Sequence, residues 1–255
     1  MSLTPLAFTS NRVQRLRKLV NEKSERTREN AFVVEGETLI RDAVRAGCVV
    51  ESQFIAPGAT AVTGATGEVY DLAEGVIERV ASTTSPQPVI AVVEKPRRKH
   101  SEISRENDAW VVVADRISDP GNLGTILRSA EAAGASAVFL TPGSVEAYSP
   151  KVVRASAGAI FNIPTFESIE LETVRSLGFK VLGTSSHPDQ NPLDYREADL
   201  SGRVAIVLGN EAHGLATSQN FDGWLTIDHS GRGESLNVAM AATLLCFELK
   251  RQRDN

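Results

Sequence analysis

Short apolar runs recur along this chain, separated by segments in which apolar residues return every three or four positions. The first rhythm predicts buried strands and the second predicts amphipathic helices. The N-terminal part reads as a helix over 11–22, with Val13, Leu16, Leu19 and Val20 on one side. A strand at Phe32–Val34 follows, and then a helix carrying Leu39, Ile40, Ala43 and Val44 that closes at Gly47. Further strands are expected near Ser52–Ile55, Val69–Tyr70 and Val89–Val93, with short helices between them. Together these make a small α/β domain over residues 1–94. Residues 95–107 (KPRRKHSEISREN) are polar, charged and carry Pro96, the composition of a linker.

Over 108–255 strands and helices alternate. Strands are expected at Trp110–Ala114, Ala137–Leu140, Asn162–Pro164, Lys180–Gly183, Arg203–Leu208 and Trp224–Asp228, and helices at Ser149–Ala159, Ile169–Leu177 and Leu236–Arg251. This alternation implies an α/β fold with a largely parallel sheet covered on both faces. The most informative stretch is Val111–Gly134, VVVADRISDPGNLGTILRSAEAAG. Its apolar strand runs into a turn at Asp119, Pro120 and Gly121, and a helix follows with Asn122 as the expected N-cap. At about 100° per residue, Leu123, Ile126, Leu127, Ala130 and Ala133 share one stripe, and Arg128 falls almost opposite. Gly134 suits the helix end. An arginine on a polar helix face is ordinarily just solvated.

Composition narrows the class. A chain of 255 residues with 42% hydrophobic and 23% charged residues is globular, and its length suits two domains. No apolar run approaches the ~20 residues needed to span a bilayer, and the first residues lack the order of a signal peptide. Cys48 and Cys246 have no metal-type spacing, which suggests a reduced, cytoplasmic chain. Aromatic residues are only 5%, so no stacking platform for single strands is advertised. A net charge of −5 argues against uniform attraction to nucleic acid, but the charge is uneven. Residues 11–30 hold seven basic side chains (Arg12, Arg15, Arg17, Lys18, Lys23, Arg26 and Arg28) against three acidic ones. Lys95, Arg97, Arg98 and Lys99 form a second cluster.

Familiar nucleotide motifs are missing. The turn after Asp115 is ISDPGNLG, without a G-x-G-x-x-G fingerprint, so a dehydrogenase-like reading is remote. There is no Walker-type phosphate loop, no zinc pattern, and no nucleophile elbow around Ser235.

Two later stretches complete a pattern with Val111–Gly134: VLGNEAHGL (Val207–Leu215) and ESLNVAMAATLLCFEL (Glu234–Leu249). In order and spacing the three resemble the motifs of the SpoU (TrmH) family of RNA ribose 2′-O-methyltransferases, in the SPOUT superfamily. The resemblance implies a deep trefoil knot in the C-terminal domain. It also implies S-adenosylmethionine as methyl donor, held by Leu208, Gly209 and Asn210, by the segment around Ile227, and by Ser235, Leu236 and Asn237. Arg128 takes the catalytic position, and Asn122, Glu211, Ser235 and Asn237 match the other polar motif positions. It further implies an antiparallel homodimer that brings Arg128 of one subunit to the donor of the other. A carboxylate beside Arg128 could orient its guanidinium, and small residues over Val238–Leu245 could permit a close helix contact. His213 reads as a solvated histidine at a helix start, without a catalytic role. A guanidinium holds its proton too firmly to act as a base, so Arg128 is expected to polarise the hydroxyl and bind phosphate. The N-terminal order EGETLIRDAV and then VIAVVEKP resembles the substrate-binding domain carried by many SpoU proteins, with Glu35 and Gly36 its clearest marks. That context turns Arg12, Arg15, Arg17, Lys18, Arg26, Arg28 and Arg128 into expected RNA contacts, with ribosomal RNA favoured over tRNA. A tRNA methyltransferase and a non-catalytic RNA-binding or ribosome-assembly protein on the same fold are the alternatives.

Overall fold

The computed structural model describes residues 4–103, 108–186, 188–216, 220–230 and 235–254. Residues 104–107 of the expected linker and Glu234 of the third motif lie outside them. In chain order the elements are α1 (Asn11–Asn21), α2 (Lys23–Glu29), β1 (Ala31–Glu35), α3 (Glu37–Arg45), β2 (Val50–Ile55), β3 (Glu68–Asp71), α4 (Val76–Val80) and β4 (Val89–Glu94). There follow β5 (Trp110–Ala114), α5 (Pro120–Ala132), β6 (Ala137–Leu140), α6 (Pro150–Ala155), α7 (Ala159–Asn162) and β7 (Thr165–Phe166). The chain closes with α8 (Leu171–Ser176), β8 (Lys180–Thr184), β9 (Leu193–Asp194), β10 (Val204–Leu208), β11 (Gly223–Thr226) and α9 (Val238–Arg253). Among the described residues no helix is long and apolar enough to cross a membrane.

Contacts divide the chain into two compact units. One comprises Met1–Arg97 with Tyr148–Phe161, the other Arg98–Ala147 with Asn162–Asn255. The expectation of one unbroken unit over 108–255 is thereby amended, because a segment from its middle packs with the N-terminal elements. The reason is local chemistry. Glu35 ends β1 at 3% exposure; its carboxylate accepts the Ser82 N–H at 2.9 Å and pairs with Arg154 of the returning segment at 3.6 Å. Tyr148 and Phe161 both pack on Phe32 of β1, with ring centroids 5.1 and 6.3 Å away. Gly36 caps α3 with φ +96°, which explains glycine beside the buried glutamate.

The first unit holds a four-stranded sheet of order β1-β4-β2-β3, with Val13, Leu16, Leu19 and Val20 of α1 buried in its core. The second holds seven strands in the order β7-β6-β5-β10-β8-β11-β9, and every pairing recorded in it is parallel. All five residues of β5 and of β10 are buried, as expected of central parallel strands covered on both sides.

Local readings fail in two places. The helix expected over 149–159 stops at Ala155, because Ala157 and Gly158 adopt φ +47° and +93°. The strand expected at 162–164 is not formed: α7 ends at Asn162, and the true strand is two residues long at Thr165–Phe166. Short apolar runs do not by themselves separate a buried strand from a helical turn.

Candidate active site

α5 sets the first edge of the site. Its N-cap is Asp119 rather than Asn122: the Asp119 carboxylate accepts the Asn122 N–H at 2.8 Å, with Pro120 in the first turn. Asp-Pro is the stronger start signal, since proline needs no N–H at that position. Leu123, Ile126, Leu127 and Ala130 are fully buried, worth roughly 1.5–3 kcal/mol for each of the larger three. Ser129 meets Thr243 of α9 through a 2.7 Å hydroxyl contact. Arg128 is exposed, and among the described residues it has no ion pair or hydrogen bond.

Displacing the capping role to Asp119 frees the Asn122 side chain, which joins all three motifs. Asn237 caps α9, its Oδ1 accepting the N–H groups of Ala239 and Met240 at 2.9 and 3.2 Å. Its Nδ2 must therefore donate, and it does so to Asn122 Oδ1 at 3.1 Å. Asn122 Nδ2 in turn donates to Glu211 at 3.0 Å. A helix cap at one end and a carboxylate at the other thus fix the direction of both amides. Glu211 also accepts from Ser118 N–H and Oγ–H at 3.3 and 3.0 Å and from Asp119 N–H at 3.3 Å. Burial pushes this carboxyl up, but the Asn122 bond and the backbone N–H groups outweigh it and hold it at about 2. Glu211 is consequently spent on the first motif's turn and Asn122.

A cavity of about 540 Å³ opens beside this relay, at the C-terminal ends of β8, β10 and β11, where Thr184, Leu208 and Thr226 line it. Such ends are the usual ligand position in parallel α/β sheets. Gly209, Asn210, Ile227, Ser235, Leu236 and Asn237, each expected to hold the donor, line the same cavity. Leu236 is 39% exposed there, an apolar surface left open in the fold. Mixed apolar and backbone-polar walls of this volume fit an adenosine-bearing donor. Gly209 is required by the loop itself. A Cβ there would lie 2.5 Å from the Gly214 carbonyl carbon, so the loop closes on its own backbone.

The motif spacing left one support of this loop unread. Arg116 adopts φ +54°, uncommon for a residue with a side chain. Its N–H donates to Thr141 Oγ1 at 3.0 Å, its carbonyl accepts from Asn210 at 2.8 Å, and its guanidinium pairs with buried Asp115 at 3.0 Å. The turn is thus pinned between the first motif and the second.

The expected RNA contacts fare unevenly. Arg26 is 4% exposed and donates to the Leu19 and Val20 carbonyls, so it caps α1 and is withdrawn from RNA. Arg15 bridges Glu29 and Glu51 at 2.6 and 2.7 Å, and Arg28 pairs with Glu25 and Glu29. Arg12 lies over Tyr70 and Arg17 over Phe8, with Lys18 exposed beside them. Of the small residues of α9, Ala239 and Ala242 are buried and Ala241 is half-buried, whereas Met240, Leu244 and Phe247 stand exposed.

The model of the SpoU rRNA Methylase family matches residues 109–247, and that of the MRM3-like substrate binding domain matches residues 10–91. A 23S rRNA (guanosine(2553)-2′-O)-methyltransferase of Bacillus subtilis is 34% identical over 241 residues, 91% of this chain and 94% of that one. The 23S rRNA (uridine(2479)-2′-O)-methyltransferase of Streptomyces viridochromogenes is 29% identical over 261 residues, 95% of this chain and 90% of that one. Among solved structures, the AdoMet-bound rRNA methyltransferase of Sinorhizobium meliloti superposes with a TM-score of 0.84 at 31% identity, covering 98% of this chain and 97% of that one. The SpoU methyltransferase AviRb of Streptomyces viridochromogenes, in complex with AdoMet, gives 0.84 at 28% identity, covering 96% and 99%. With the three motifs joined at one donor-sized cavity, the chain belongs to the SpoU rRNA methylase family of S-adenosylmethionine-dependent RNA ribose 2′-O-methyltransferases.

Proposed function

We propose that this protein methylates a ribose 2′-hydroxyl of 23S ribosomal RNA and that its active site is completed across a homodimer. The observation that carries the reading is the relay Glu211–Asn122–Asn237 beside a donor-sized cavity that Arg128 of the same chain does not line. The exposed stripe Met240, Leu244 and Phe247, spaced for one face of α9, supports a second copy docking there. A sheet order that sets β10 between β5 and β8, with α9 returning to α5, supports the trefoil knot. Residues 1–94 with the segment 148–161 are assigned to RNA binding, 95–107 to the linker, and the rest of 108–255 to methyl transfer. Within the first region, Arg17 and Lys18 are the cations best placed to meet phosphate, whereas Arg12 also pairs with Glu68 at 3.9 Å. A substrate in ribosomal RNA, like that of the bacterial relatives, agrees with a cytoplasmic setting.

When bound, S-adenosylmethionine supplies an electrophilic sulfonium methyl. Leu208, Ile227 and Leu236 would seat its apolar part, and the backbone of Gly209 and Asn210 would hold its polar groups. Arg128 from the partner subunit binds the phosphate beside the target and polarises the 2′-hydroxyl. Holding the reactants in line supplies several kcal/mol of the barrier.

Mixed dimers test the shared site. One protomer carries Arg128→Ala and the other Leu236→Asp, which places a charge in the donor seat. Tritiated-methyl transfer to unmodified 23S rRNA should retain about half of the wild-type rate, because one composite site keeps both functions. An assembled mixed dimer with no activity would overturn the shared site.

A further inference from the structure

Neither Arg128 nor Glu211 can take the proton that the 2′-hydroxyl must lose. A guanidinium is already protonated at any working pH. Glu211 is held at about 2, and its oxygens already accept from Ser118, Asp119 and Asn122. The other titratable side chains lining the donor cavity among the described residues are Asp189, His213 and His229. Arg116 also approaches this loop, its guanidinium reaching the Gly214 carbonyl at 3.5 Å.

His213 is the group whose tautomer the fold dictates. Asn210 Oδ1 accepts the backbone N–H groups of Ala212 and His213 at 3.0 and 3.1 Å, while Asn210 Nδ2 donates to the Arg116 carbonyl at 2.8 Å. Backbone groups cannot exchange roles, so the orientation of this amide is fixed. The His213 ring nitrogen Nδ1 lies 3.1 Å from that same Oδ1, an acceptor-only atom. Nδ1 must therefore carry the proton in the neutral ring, which leaves the lone pair on Nε2. Locking one nitrogen through a neighbouring acceptor is how proteins prepare the other as a base. Among the described residues the His229 ring has no such anchor. His213 is exposed, so a ligand can reach Nε2.

We propose that His213 Nε2 is the proton acceptor for the ribose 2′-hydroxyl, with Asn210 setting its tautomer. The 2′-oxygen forms its bond to the methyl carbon as the carbon–sulfur bond breaks. That electron pair stays on sulfur, which becomes a neutral thioether, and the hydroxyl proton passes to Nε2 to give an imidazolium. Arg128 keeps the polarising and phosphate-binding role. The inference rests on the methyltransferase reading above.

Two measurements decide it. In the first, single-turnover methyl transfer to unmodified 23S rRNA is followed against pH at saturating donor, for the wild type and His213→Gln. The wild-type rate should rise with pH along one limb and level off. In His213→Gln the plateau should fall at least a hundredfold, within the usual range for general-base catalysis, and that limb should vanish. Donor affinity by calorimetry should stay within about threefold. A variant that keeps the wild-type rate and limb overturns the proposal. In the second, long-range proton–nitrogen correlation on imidazole-labelled protein without donor or RNA should find Nδ1 protonated and Nε2 bare in neutral His213. A neutral ring protonated on Nε2 overturns it equally. A wild type that methylates no 23S rRNA would instead count against the functional reading, and the nitrogen spectra would still decide the tautomer.

Discussion

Replacing Glu211 by glutamine tests whether the carboxylate holds the three motifs together. Its folded value of about 2 lies below the ordinary 4.5, so ionised Glu211 stabilises the fold. That contribution is complete above about pH 4.5 and is lost as pH falls through about 2. Without screening, the displacement corresponds to ~3 kcal/mol at ~1.36 kcal/mol per pH unit. Glu211 is exposed, so solvent reduces this to about 1–1.5 kcal/mol. Glutamine keeps the shape, but its NH₂ must face one of the donors from Ser118, Asp119 or Asn122. Losses of that order also follow from leaving such a donor unpaired. Urea unfolding at fixed protein concentration, at pH 7 and pH 3.5, reads the difference. We expect Glu211→Gln to be less stable by about 1–1.5 kcal/mol at pH 7, with a clearly narrower gap at pH 3.5, where the unfolded carboxyl is already mostly protonated. A gap below ~0.3 kcal/mol at pH 7, or one that does not narrow, would refute the electrostatic reasoning.

Two further substitutions probe backbone and packing. Gly209→Ala should weaken donor binding at least tenfold, ~1.4 kcal/mol by calorimetry, because its Cβ would sit 2.5 Å from the Gly214 carbonyl carbon; unchanged affinity would show that the loop yields freely. Arg154→Ala should cost about 2–3 kcal/mol in thermal or urea unfolding by stranding buried Glu35, and adding Glu35→Gln should restore part of the loss. A variant as stable as the wild type would mean that the 148–161 segment is held by its apolar contacts alone.

The sequence by itself determined the elements whose cause is local. β5 and β10 are legible because central parallel strands must be apolar throughout. The buried face of α5 is legible because its stripe repeats at the helical period. The three motifs could be read because each is contiguous, and they marked Asn122, Glu211 and Asn237 as polar positions worth watching. Tertiary structure decided what those residues do. Asn122 reads as a helix cap until Asp119 is seen to take the cap, which frees its amide for Glu211 and Asn237, 89 and 115 residues away. Arg26 is one cation among seven over residues 11–30, and carbonyls at the end of α1 draw it inward. The segment 148–161 carries no sign that it belongs with β1, because Glu35 and Phe32 act on it across more than a hundred residues. His213 reads as an ordinary solvated histidine until Asn210, pinned by the Arg116 carbonyl, determines which ring nitrogen holds the proton. Periodicity records how a residue meets its own element, whereas hydrogen-bond direction and burial depend on groups brought together only when the chain closes.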